Sequence, residues 1–503
     1  MRTIGETLHR HASRAPDASA MLAPRSRPLT YAGLLHHIDT LRSDLSRAGF
    51  SRSDRIALVL PNGPQAAIMI AAISCSVIAI PLDPRLALPE VERRLALLRP
   101  AAIILPENAP SAARTLAERG GLPIIEAGLP EHGTLGACFT IPAVGAAVSP
   151  EEEPDDEAPG VILQTSGTTG DPKLIPFSHR NMLACAERVQ GWFALGRDDR
   201  CLSATPAYYA HGLIMTVLIP LLTGGSIAFP LDPLNFDPDQ WLGELAPTWF
   251  SAGPTLHRYM LDKIKSMPNA RTVHSLRFIT SGGAPLPGTI CKGLQDALGV
   301  PVLDHYGASE AGQISANLPA PHLARLGTCG IPSGDIVSVR AENGRQVAPG
   351  EMGEVWVRGP TVMSGYIDAP SLNEAAFADG WFRTGDLASL DEDGFLTLYG
   401  RKKELINRGG EKIAPAEIDD ALMRHPAVAE AAAFAVAHPR LGEDVAAAVV
   451  LREGLTATPA ELRNFLSGEL AWFKIPRRIL FRDHLPKGLT GKIQRQRLKE
   501  DCQ

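Results

Sequence analysis

Residues 161–181 read VILQTSGTTGDPKLIPFSHRN, an apolar, strand-like run that enters a loop of hydroxyls and glycines, leaves it at Lys173 and precedes a helical stretch. Ser166, Thr168 and Thr169 offer O–H donors, Gly167 and Gly170 let backbone N–H groups approach closely, and Lys173 adds a cation, a set that suits a polyphosphate. The loop is not a Walker A motif. GxxxxGK[ST] is not met, and Pro172 before the lysine opposes the immediate helix start that motif needs. A buried strand feeding such a loop places the chain among the α/β folds.

The same rhythm extends in both directions. Arg55–Leu60, Val77–Ile80 and Ala102–Leu105 on one side, and Ser226–Leu231, Thr248–Ser251, Leu276–Thr280 and Val300–Asp304 on the other, each predict a short buried strand closed by a Gly or Pro turn. Between them, residues 141–160 (IPAVGAAVSPEEEPDDEAPG) are Pro-rich and acidic and read as a solvated connector separating two lobes. From Gly353 the pattern changes to short antiparallel-type strands, GEVWVRG and GFLTLYG. Past Arg401 a helix (Pro415–Arg424), strands (Val428–Val436, Asp444–Leu451), a second helix (Pro459–Leu470) and a strand (Arg478–Phe481) predict a compact α+β unit.

Composition bounds the class. The 503 residues are 45% apolar and 21% charged, enough for about three packing units with large cores. The net charge of −6 gives no global attraction to nucleic acid or anionic membrane, but residues 1–400 carry −10 and residues 401–503 carry +4. An acidic body therefore ends in a basic unit suited to meeting anions. Seven scattered cysteines without a CxxC pair suggest neither a disulfide framework nor a thiolate metal site, which fits a reducing cytoplasm. No apolar signal region opens the chain, and its longest apolar run, Ala66–Ile80, is too short to span a bilayer. No GxSxG nucleophile elbow occurs, which excludes the common serine-hydrolase reading.

Three further stretches carry chemistry. In VLDHYGASEAG (302–312), at a strand end, Tyr306 can stack on a base, Ser309 can bond a phosphate and Glu310 is a hard oxygen ligand of the kind Mg²⁺ accepts. On the residues alone, an acid opening a helix and complementing its dipole is the more ordinary reading of Glu310. In GWFRTGDLASLDEDGFLTLYGRKKELINRGGEKIAPAEID (380–419), Asp386 in a Thr-Gly-Asp turn can accept both ribose hydroxyls, with Arg401 in support. Arg408-Gly409-Gly410 marks a tight turn. In PKGLTGKIQRQRL (486–498), Lys492 sits on a Gly-flanked loop in a basic stretch, where a solvated lysine is the ordinary reading.

These clusters, in this order, resemble the adenylate-forming superfamily of acyl-CoA synthetases, adenylation domains and luciferases, over nearly the whole length. The resemblance implies a large N-terminal AMP-binding domain, 1–400, of layered α/β subdomains plus a β-rich subdomain, and a small mobile α+β lid, 401–503. It implies ATP held at its β- and γ-phosphates by Thr165, Ser166, Gly167, Thr168, Thr169 and Lys173, and an adenine slot from Gly283, Ala284, Asp304, His305, Tyr306, Gly307 and Ser309. Asp386 and Arg401 match the ribose pair, Glu310 the Mg²⁺ ligand, Lys492 the catalytic lysine and Lys403 the hinge. Arg408, Gly409 and Gly410 match the loop lining a pantetheine tunnel, and Lys474, Arg477 and Arg478 are candidates for the CoA phosphates.

In acyl-CoA synthetases an aromatic-His-x-x-Gly segment gates the carboxylate. Here it reads Ala207-Tyr208-Tyr209-Ala210-His211-Gly212, so Tyr209 takes the gate position among the catalytic candidates and His211 a place lining the acyl pocket, with a core histidine bonded to backbone as an equal reading of His211. The implied activity is ATP-dependent activation of a small organic acid to acyl-AMP, with pyrophosphate released, and transfer to CoA. The alternative is a stand-alone adenylation enzyme that loads the phosphopantetheine of a carrier protein. Neither reading involves nucleic acid or a membrane.

Overall fold

The computed structural model describes residues 3–128, 134–148, 154–165, 172–266, 274–322, 324–333, 336–487 and 493–502. Among them two large sheets, a β-rich sheet and a small C-terminal sheet carry helices in an α/β arrangement. One large sheet runs in the spatial order Cys138–Thr140, Ile124–Gly128, Ala102–Pro106, Arg55–Leu58, Ile78–Pro81, Pro159–Gln164, Leu174–Ser178. The apolar run at 66–80 is covered here by the helix Pro64–Ser74, buried from Ala66 onward, and the strand Ile78–Pro81, and no described helix is long and apolar enough to cross a membrane.

Two expectations change. The acidic connector joins strands of one sheet rather than two lobes, since Cys138–Thr140 before it and Pro159–Gln164 after it lie in the same sheet. The lobes are interleaved in sequence, because Ser19–Leu22 at the N-terminus pairs in parallel with Ser226–Ala228 of the second sheet. The Gly-rich loop, moreover, does not run into a helix. Leu174–Ser178 returns antiparallel to Pro159–Gln164, and as an edge strand it tolerates Pro176. The helix His179–Phe193 begins only after Ser178, whose Oγ accepts from Asn181 N at 3.1 Å while Asn181 Oδ1 accepts from Ser178 N at 3.0 Å.

The second large sheet is parallel through its centre: Val302–Ala308, Phe278–Ser281, Trp249–Ala252, Arg200–Leu202, Ser226–Ala228 and Ser19–Leu22. Trp249–Ala252 and Phe278–Ser281 are buried along their whole length, as strands covered on both faces must be. Gly353–Val357, Trp381–Leu390 and Leu396–Arg401 form the antiparallel β-rich sheet. The C-terminal unit closes a core of its own around Ile413, Ile418, Val428, Val445, Val449, Leu462 and Leu466. Each such side chain contributes about 1.5–3 kcal/mol on burial.

Candidate active site

Ligands of open parallel sheets bind at the carboxyl ends of strands. Here Ser251, Ser281 and Asp304 stand at or near the ends of three adjacent parallel strands. His211 reaches them from the segment 206–212, with Nε2 2.8 Å from Ser251 Oγ and its ring centroid 5.4 Å from that of His305. Gly212 is required there, because a Cβ would fall 2.1 Å from the Pro206 carbonyl oxygen. Gly282 lies flat against the His305 ring, where a Cβ would come within 2.4 Å of Cε1. The expected Gly283 and Ala284 are exposed beside it.

The polar groups at this edge are unusual. Thr280 Oγ1, Ser281 Oγ and both ring nitrogens of His305 are buried without a hydrogen-bond partner among the described residues, and Gln313 lies beside His305 outside hydrogen-bonding geometry. Burial pulls the His305 pKa down to about 4, keeping the ring neutral. Burial also pushes Asp304 up to about 8, against two backbone N–H donors from Leu286 and His305. Most buried polar atoms in folded proteins find partners, so a cluster without them points to a ligand.

Asp386, Arg401 and Tyr306 converge. Asp386 and Arg401 are register partners on adjacent strands, and Arg401 Nε lies 2.6 Å from Asp386 Oδ1. Tyr306 Oη donates to Asp386 Oδ2 at 2.6 Å. Asp386 sits inside a strand rather than in a turn, with Gly385 at φ +73° supplying the kink. The carboxylate is thus held from two sides and keeps acceptor capacity for hydroxyl donors.

At the phosphate-type loop, Thr165 N donates to Lys173 O at 3.2 Å, closing the mouth of the hairpin, and Thr165 Oγ1 is buried without a partner among the described residues. Ser166, Gly167, Thr168 and Thr169 lie outside the described residues, as does Lys492. Glu310 does not open a helix; it occupies the turn between Val302–Ala308 and Gly312–Ala316, together with Ser309, just past Gly307. One residue absent from the sequence reading joins the two: Tyr366 Oη donates to Glu310 Oε1 at 2.9 Å and accepts from Lys173 Nζ at 3.4 Å. It lies 56 residues from Glu310 and 193 from Lys173, so no local pattern connects them.

Tyr209 is anchored rather than loose. Its hydroxyl donates to Asp83 Oδ2 at 3.2 Å and accepts from Arg85 Nη2 at 3.1 Å, and Asp83 binds Arg85 through both oxygens at 3.0 and 2.8 Å. Burial would raise the Asp83 pKa, but the Arg85 contacts win and hold it below the ordinary carboxylate range. Asp83 and Arg85 were also missed. Their place just after the parallel strand Ile78–Pro81, at its carboxyl end, was the available signal.

The basic unit is largely engaged with itself. Arg408-Gly409-Gly410 is the expected tight turn, with φ of +63° and +100° at the two glycines joining Ile406–Arg408 to Glu411–Ile413. Arg408 Nε, however, donates to Asp444 Oδ1 at 2.7 Å. Lys474 binds both oxygens of Glu417 at 2.6 and 2.7 Å, Arg477 Nη1 stands 3.3 Å from His438 Nε2, and Arg478 Nη1 donates to the Cys502 carbonyl at 3.4 Å. Between Lys402, paired with Glu354 at 3.5 Å, and Glu404, paired with Arg495 at 3.3 Å, Lys403 is exposed and makes no hydrogen bond or ion pair among the described residues.

Comparison with known proteins agrees with this layout. A family model described as AMP-binding enzyme matches residues 8–367, and one described as AMP-binding enzyme C-terminal domain matches residues 417–492. An oxalate–CoA ligase of Arabidopsis thaliana is 34% identical, covering 98% of this chain and 97% of its own. A sulfoacetate–CoA ligase of Cupriavidus necator is 33% identical over 99% and 97%. The ATP-bound crystal structure of MatB from Rhodopseudomonas palustris superposes with a TM-score of 0.87 at 27% identity, covering 99% of each chain.

Proposed function

The chain belongs to the AMP-binding enzymes, and on that premise we propose that it is an ATP-dependent, AMP-forming ligase joining a small organic acid to CoA. The curated relatives named above are CoA ligases for a dicarboxylate and a sulfonated acid. The observation that carries the reading is the Asp386 carboxylate held by Arg401 and Tyr306 beside a strand edge whose buried hydroxyls and imidazole lack hydrogen-bond partners among the described residues. Asp386 receives the ribose hydroxyls, while Tyr306, Gly307, Asp304, Gly283 and Ala284 border the base. His211, with Ser251 and His305 beside it and Ser281 on the neighbouring strand end, faces the acid; these polar side chains favour a small polar substrate over a long acyl chain.

Glu310 and Thr165 fit a magnesium–nucleotide complex, since a carboxylate that already accepts one O–H retains lone pairs for a hard cation and the Thr165 hydroxyl is uncommitted among the described residues. When bound, Mg²⁺ would neutralise phosphate charge. Lys173 with the loop 165–170 holds the β- and γ-phosphates. The acid's carboxylate attacks the α-phosphorus, pyrophosphate leaves, and Lys492 stabilises the charge on the transferring group. The CoA thiol, deprotonated as it attacks, then displaces AMP from the mixed anhydride. Residues 1–400 form the adenylating part and 401–503 the lid, turning at Lys403 so that the Arg408–Gly410 turn faces the thiol. Tyr209, fixed by Asp83 and Arg85, forms a wall of the acid's entrance.

The test is pyrophosphate release across acids from oxalate and malonate to benzoates and medium-chain fatty acids, with CoA or a holo-carrier protein as acceptor. CoA-dependent AMP formation with a small acid is the expected result. Turnover only with the carrier protein would favour the alternative acceptor, and no turnover with any acid would sink the reading.

A further inference from the structure

Lys173 and Glu310 carry opposite charges on two elements of the same crevice, yet they do not form a direct ion pair among the described residues; the Tyr366 hydroxyl stands between them. The Lys173 ammonium also sits over the Tyr366 ring, 4.6 Å from its centroid. The backbone around Tyr366 is tied to both sides. Met363 N donates to Glu310 O at 2.8 Å, and Ile367 N donates to Leu174 O at 3.0 Å. Tyr366 itself is fixed through Asn373, whose Oδ1 accepts from Tyr366 N at 2.7 Å and whose Nδ2 donates to Tyr366 O at 2.9 Å. Gly365 at φ +139° permits the close approach, since the Asn373 amide stands 3.2 Å from where its Cβ would be.

We propose that Tyr366 is a positioning residue, a spacer that keeps the Lys173 ammonium and the Glu310 carboxylate from collapsing onto each other, so that each stays directed to its own part of a magnesium–polyphosphate. The proposal rests on the nucleotide-site reading given above. An ammonium and a carboxylate in a half-buried crevice attract strongly, and a direct pair would use up both the cation meant for phosphate and the oxygen meant for the metal. A phenol satisfies both at once, donating to the carboxylate and accepting from the ammonium.

Tyr366→Phe keeps the ring and its contact with the Lys173 ammonium while deleting the spacer oxygen. Calorimetric titration of the full-length protein with ATP and Mg²⁺, and separately with AMP, tests the idea. Binding of ATP with Mg²⁺ is expected to weaken about tenfold, with a matching rise in the Mg²⁺ concentration needed for half-saturation, while AMP, which lacks the β- and γ-phosphates, binds within about twofold of the parent protein. Equal weakening of both nucleotides would mark Tyr366 as a general structural support and overturn the proposal, as would unchanged binding of both. The parent protein is the separate control: if it binds neither nucleotide, the nucleotide-site reading itself fails and the spacer role with it.

Discussion

The carboxyl edge of the large parallel sheet and the C-terminal unit differ in how they treat charged and neutral polar side chains, although Glu430 Oε2, Asp444 Oδ2 and Gln494 Oε1 of the C-terminal unit are also buried without a hydrogen-bond partner among the described residues. At the sheet edge, Thr280, Ser281 and His305 bury polar atoms that nothing among the described residues satisfies. In the C-terminal unit the long charged side chains find each other: Arg408 with Asp444 at 2.7 Å, Arg495 with Asp419 at 2.5 Å and Lys474 with Glu417 at 2.6 Å. Sequence alone suggests the reverse emphasis, because a basic surplus invites an anionic ligand and a buried serine invites none. Charge counts report supply, whereas pairing decides what is left over for a partner.

Breaking a pair in the C-terminal unit should cost the most. The Asp444 side chain is 3% exposed and that of Arg408 17%, so Asp444→Ala leaves a largely buried guanidinium without its counter-charge. A loss of about 3–5 kcal/mol is expected, read from the denaturant midpoint. A loss below about 1 kcal/mol would mean the pair is solvent-screened and the contrast overstated.

Lys492 tests whether the largely self-paired unit still supplies a cation to chemistry. Lys492→Ala is expected to raise the adenylation barrier by about 3–4 kcal/mol, with thioester formation from supplied acyl-adenylate largely spared. Equal losses in both half-reactions would contradict the assignment of that lysine to the first step alone.

Asp304 sharpens the picture at the sheet edge. Its pKa rises from an ordinary 3.8 to about 8 in the fold, so the protonated form is favoured, and the stability this confers is full below about pH 4 and lost as pH rises through about 8. Asparagine mimics the neutral acid. Thermal midpoints of Asp304→Asn measured from pH 5 to 9 should fall less steeply with pH than those of the parent protein. Parallel curves would show that Asp304 is ionised in the fold throughout.

The parts of the fold that were legible in the sequence are those whose signals are local. Arg478–Phe481 ends where its apolar run ends, and the glycine pair after Arg408 needs two left-handed residues that any reader of turns expects. The hairpin behind Lys173 was hidden because Leu174–Phe177 is apolar enough for either structure, and only pairing with Pro159–Gln164 decides. The interleaving of the two sheets was hidden for the same reason, since strand order is a property of long-range packing. Candidate site residues that the structure brings together were legible where a motif carried them, as with Asp386 and Arg401. Tyr366 was not, because its partners lie 56 and 193 residues away and leave no pattern, whereas Asp83 and Arg85, two residues apart, offered only their place at a strand's carboxyl end.

Ser281→Ala has the smallest expected effect on stability, and it separates the two regions most directly. Its hydroxyl is buried and unpartnered among the described residues, so removing it deletes no hydrogen bond and relieves a desolvated oxygen. Measured side by side, the thermal midpoint should stay the same or rise while the KM for the preferred acid increases about tenfold. A fall in the midpoint with an unchanged KM would contradict the account, because the hydroxyl would then be serving the fold and the sheet edge would be no more open to a ligand than the C-terminal unit.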